Sequence, residues 1–101
     1  MITEIAHVEI DSERLPEFEA AMKVAVFTVL SKAHGYHDFE LLKGVERPSV
    51  YTFIIHWDTL GDHTVGFRES NLFIQWREII GHFFAHPPVV EHWGPLFGAN
   101  A

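Results

Sequence analysis

Residues Ser49 to Trp57 read SVYTFIIHW, a stretch with no obvious face for water. In an extended chain alternate side chains point to opposite faces. Tyr51, Phe53, Ile55 and Trp57 therefore share one face, and Thr52, Ile54 and His56 share the other. A strand this poor in charge on both faces belongs to a sheet covered on both sides. What lies on either side of it in the chain decides what the two covers are.

Upstream, Tyr36 to Lys43 is a second aromatic and β-branched run, joined to the first by GVERPS, whose Gly and Pro suit a hairpin loop. Ile2 to Ile10 alternates, with Ile2, Ala6, Val8 and Ile10 on one side and Thr3, Ile5, His7 and Glu9 on the other. Asp11 and Ser12 offer N-cap oxygens, and Pro16 suits a first helical turn. Leu15, Phe18, Met22, Ala25, Val26 and Val29 then form an amphipathic stripe closed by His34-Gly35. Val24 and Phe27 stand off that stripe and predict a second apolar contact.

Downstream, Thr59 to Arg68 predicts a short helix weakened by Gly61 and Gly66. Ser70 caps a further helix with an apolar arc of Leu72, Phe73, Trp76, Ile79, Ile80, Phe83 and Phe84. Pro87-Pro88 stops it, since proline lacks the N–H and clashes with the preceding turn. Val89 to Trp93 is a last strand, followed by a tail. The order predicts one domain over residues 1–101, an α+β, ferredoxin-like βαββαβ fold with both helices on one face of an antiparallel sheet. Helices enough for one face leave the other to a partner chain, so a homodimer is expected, with Pro95 to Phe97 reaching across to it.

The totals exclude several function classes. A formal charge of −7 with seven scattered Lys and Arg argues against nucleic acid and anionic membrane as partners. The absence of cysteine removes disulfides, thiolate metal sites and thiol catalysis. MITEIAHVEID has acids where a signal peptide needs a basic start, and no run approaches the roughly 20 apolar residues of a membrane span. A soluble cytoplasmic protein is expected.

Three segments, HDFELLKGVERPSVYTFIIHWD, FRESNLFIQWRE and PPVVEHW, in this order and spacing, make the whole chain resemble the antibiotic biosynthesis monooxygenase family. That resemblance implies dimeric ferredoxin-like domains whose two sheets form an α+β barrel. It implies oxidation of a small aromatic, quinol-like substrate by O₂ without a tightly bound cofactor. It also leaves open a non-catalytic dimeric barrel that binds an apolar small molecule. Against the quinone-forming relatives, Trp57 matches the strand-terminal Trp and Arg77 the helix Arg, while Phe53 replaces an Asn and His63 a Tyr. Against the haem-degrading relatives, the axial histidine falls on Arg77, the first-strand Asn near His7 and the pocket Trp on Phe67. Arginine cannot ligate iron, so haem is not expected.

The candidate site is an apolar cavity between sheet and helices, walled by Phe53, Phe67, Phe73, Trp76 and Phe83, with Trp57 and Arg77 at its polar end. Arg77 would stabilise a developing oxyanion, and His63 would take the substrate's proton. His82 and His86 stand four apart, a metal-binding spacing on a helix, but the diproline separates them from His92 and no metal is expected.

Overall fold

A computed structural model describes residues 1–100. Four strands, β1 (Ile2–Glu9), β2 (Tyr36–Lys43), β3 (Val50–Trp57) and β4 (Val89–Trp93), form one antiparallel sheet in the order β2-β3-β1-β4. Helices α1 (Leu15–Thr28) and α2 (Asn71–Ile80) pack on one face, giving the βαββαβ ferredoxin-like arrangement. The inward alternation of β1 and β3 supplies the floor of the core: Ala6, Val8, Tyr51, Phe53, Ile55 and Trp57 are all buried. From above, α1 sets Phe18 against Tyr51 at 4.9 Å between ring centroids, and α2 sets Trp76 edge-on to Phe53 at 6.3 Å.

Several boundaries depart from the sequence pattern for local reasons. Asp11 and Ser12 do not cap α1: Arg14 stands at the cap position, and Asp11 Oδ1 instead accepts the Glu13 N–H within the preceding turn. Ile10 lies just past β1, bridged singly to Phe84. Helix α1 stops at Thr28, followed by a 3₁₀ turn, Leu30–Lys32, so Gly35 closes the connection and not the helix itself. Gly35 has φ of +83°, and a Cβ there would collide with the Asp62 carboxylate. Ser70 does cap α2, its Oγ accepting the Phe73 N–H.

Helix α2 is shorter than its apolar arc. It gives way at Gly81 to a 3₁₀ turn, Gly81–Phe83, so His82 and His86 do not share an α-helical face. His82 meets Arg14, and His86 lies 3.6 Å from Glu9. Val24 and Phe27 are exposed on α1.

The face of the sheet away from the helices is only partly covered within one chain. Ile5 pairs with Ile54 at its centre, while His7 with Thr52 and His56 with Asp38 add polar pairs. Val89 and Trp93 stand exposed on β4, and Leu96 and Phe97 in the tail are almost fully exposed. Among the described residues no helix is long and apolar enough to cross a membrane.

Candidate functional site

The site is built where β1 and β3 meet the segment linking β3 to α2. Glu4 sits opposite Ile55 of β3 and His92 of β4, at an inward position of β1, and is buried. Its carboxylate would be costly there without partners. Trp57, fully buried at the end of β3, donates its indole N–H to Glu4 Oε1 at 2.9 Å.

The linking segment is wound more widely than an α-helix. Thr59 and Asp62 close its start by reciprocal bonds, each backbone N–H donating to the other's side-chain oxygen at 3.2 Å. Residues Asp62–Phe67 then form a π-helical turn, in which the Arg68 N–H donates to the His63 carbonyl five residues back. Such turns are rare and concentrate at functional sites. This one buries His63, whose ring stacks on Trp57 with centroids 5.2 Å apart. His63 Nε2 lies 3.3 Å from Glu4 Oε1, and His63 Nδ1 lies 2.7 Å from His92 Nε2.

Burial controls the charges of this cluster. It pushes the Glu4 carboxyl up to about 7, against the opposing pull of the Trp57 hydrogen bond and the Arg68 cation. It pushes His63 down to about 4, and Arg68 and His92 add to that shift. His92 is lowered by partial burial and by Arg68. With His63 held neutral, its 3.3 Å approach to Glu4 is a close polar contact and not an ion pair.

Above the cluster opens a cavity of about 770 Å³. Phe53, Phe67, Phe73 and Trp76 form its aromatic wall, Glu4 and His63 its polar floor, and the exposed Arg68 and Arg77 its cationic rim. Phe67 packs edge-on to both Phe73 and Trp76, at 5.6 and 6.0 Å, leaving ring faces for a flat ligand.

The structure thus gathers six of the eight residues expected from the sequence around one space: His63, Arg77, Phe53, Phe67, Phe73 and Trp76. Trp57 is not at the cavity surface; it lies beneath, holding Glu4 and backing His63. Phe83 is not a wall residue. The 3₁₀ turn after α2 carries it towards α1, where it meets Phe18 at 5.7 Å beneath the Arg14 guanidinium. Sequence reasoning passed over Glu4, Arg68 and His92. For Glu4 the signal was present, a lone carboxylate on the same side of β1 as Ala6, Val8 and Ile10.

Comparison with known proteins agrees with this architecture. The family profile described as antibiotic biosynthesis monooxygenase matches residues 1–79. The uncharacterized protein YczJ of Bacillus subtilis (strain 168) is 34% identical over 93 residues, 92% of this chain and 97% of that one. A crystal structure from Bordetella bronchiseptica, provisionally named an antibiotic biosynthesis monooxygenase, is 35% identical with a TM-score of 0.89, covering 95% of this chain and 97% of that one. A similarly named protein of Nitrosomonas europaea shares the fold at 18% identity and a TM-score of 0.78, covering 96% of this chain and 100% of that one. With its βαββαβ sheet and the profile match over most of its length, the chain belongs to the antibiotic biosynthesis monooxygenase family.

Proposed function

We propose that this protein is a monooxygenase that oxidises a small phenolic or quinol-like aromatic with O₂ inside the cavity described above. The observation that carries the reading is a buried carboxylate–imidazole pair, Glu4 and His63, at the floor of an aromatic-walled space rimmed by Arg68 and Arg77. Aromatic walls favour a flat ring, the pair accepts its hydroxyl proton, and the rim cations stabilise the phenolate. An ionised phenol is electron-rich enough to reduce O₂. A phenol with a free para position plus O₂ gives a para-quinone plus water: one oxygen atom replaces the para hydrogen, and the other leaves as water with both displaced hydrogens. The working unit in this reading is a homodimer joined through the open sheet face.

A second reading, a barrel that binds an apolar molecule without turning it over, is favoured by one observation. Phe53, at the position where the resemblance expects an asparagine, offers the cavity no amide to hold a substrate oxygen. Oxygen-electrode traces with a panel of polycyclic phenols separate the two. Uptake in step with ligand loss supports the monooxygenase; tight binding across the panel without uptake supports the binding module.

A further inference from the structure

His63 has a titratable neighbour at each ring nitrogen, in series. Its Nε2 faces the buried Glu4 carboxylate at 3.3 Å, and its Nδ1 faces Nε2 of His92 at 2.7 Å. His92 lies on edge strand β4 and is only half-buried, so the line runs from the cavity floor to solvent. Packing alone would require one satisfied nitrogen on His63, not a second imidazole in register with the first. Trp57, stacked on His63, donates its indole N–H to the same Glu4 Oε1, which fixes the carboxylate in the line.

We infer that Glu4, His63 and His92 form a proton relay through which the cavity-floor carboxylate exchanges its proton with solvent. The inference rests on the cavity being the working site, but not on which molecule enters it. The transfers balance at each atom. Starting from a protonated Glu4, its O–H proton passes to His63 Nε2, the His63 Nδ1 proton passes to His92 Nε2, and the His92 Nδ1 proton passes to water. The result is an ionised Glu4 accepting the new His63 N–H, with His63 Nδ1 accepting the new His92 N–H. The reverse sequence refills Glu4. No imidazolium need persist, which suits a cluster where burial and Arg68 oppose positive charge on both histidines. The charged and titratable groups that bear on the line are Arg68, following the π-helical turn, and the three members themselves. Glu4, which lines the cavity, is the group that would touch substrate; His92 acts through His63 and is a positioning residue.

Two measurements on the ligand-free protein test this. First, ¹⁵N NMR of the imidazoles across pH should show His63 and His92 changing tautomer together, in one step shared with the Glu4 carboxyl; Glu4→Gln, which keeps an acceptor for the Trp57 N–H, should abolish that step. Second, a pH jump followed by infrared absorption of the protonated carboxyl should show Glu4 emptying at least about tenfold more slowly in His92→Gln, with free imidazole restoring the rate. Independent titration of the two histidines, or an unchanged emptying rate in His92→Gln, would overturn the relay. A relay that passes both tests in a protein that consumes no oxygen with any phenol would instead sink the monooxygenase reading alone.

Discussion

Glu4 occupies a position in β1 where its inward neighbours, Ala6, Val8 and Ile10, are buried hydrocarbon. Its cost is visible as a pH dependence. Because folding raises its pKa from 4.5 to about 7, Glu4 adds stability below pH 4.5 that is lost as pH rises through 7. His63, lowered from 6.5 to about 4, behaves oppositely: its contribution is full above 6.5 and lost as pH falls towards 4. The two slopes offset one another between about 4.5 and 6.5, and above that only Glu4 acts. Glu4→Gln should therefore gain on the wild type between pH 4.5 and 8 by up to on the order of 3 kcal/mol, read from urea midpoints. A difference independent of pH would show that the carboxyl is not perturbed. At the rim, Arg77→Ala should lower turnover of a phenolic substrate about 10²-fold with an unchanged fold by circular dichroism, the scale of losing one oxyanion donor. Turnover equal to wild type would remove Arg77 from the mechanism. The α2 part of the aromatic wall, Phe73 and Trp76, was legible in the sequence because ring spacing there follows the helical period. The Glu4–His63–His92 line was not, because it joins β1, the π-helical turn and β4, and register across strands is not written in any one segment.

The π-helical turn at Asp62–Phe67 is the element that delivers His63, and its anchor is Gly35. The positive φ and the Asp62 carboxylate leave no room for a side chain at Gly35. Gly35→Ala should cost about 1–3 kcal/mol in urea unfolding and displace the turn, shifting the His63 imidazole resonances. Full stability with unmoved resonances would contradict the anchoring role. Gly66 lies within this wider turn and Gly61 stands at the cap position before it, so neither interrupts an α-helix. Sequence periodicity identifies a helix but carries no sign that distinguishes i→i+5 from i→i+4 winding. The same limit hid the 3₁₀ turn after Ile80, and with it the true place of Phe83.

At the scale of the molecule, the chain exposes 6534 Å². A compact monomer of 11.6 kDa would expose roughly 5,800 Å². The surplus is close to the roughly 800 Å² that each partner buries in a standard interface. Ile5, Ile54, Val89 and Trp93 on the open sheet face, with Leu96 and Phe97 in the tail, form its apolar part. A homodimer through this face is accordingly expected, and Ile54→Glu should leave monomers in analytical ultracentrifugation at micromolar concentration; a monomeric wild type would contradict it. The fold was readable from the β3 strand outward because a strand poor in charge on both faces belongs inside a covered sheet, and the helical patterns on either side of it supply one of the two covers. Whether one chain or two covers the second face depends on surface that one sequence does not pair.

The most direct test of the proposed chemistry is a turnover in ¹⁸O₂ with a polycyclic phenol free at its para position, comparing wild type with Glu4→Gln by mass spectrometry of the product. The expected result is a quinone carrying one ¹⁸O atom, formed at least about 10²-fold more slowly by the variant, within the range for losing a positioned proton acceptor. A product without the label, or equal rates in the two proteins, would contradict the assignment of phenol oxidation to the Glu4-floored cavity.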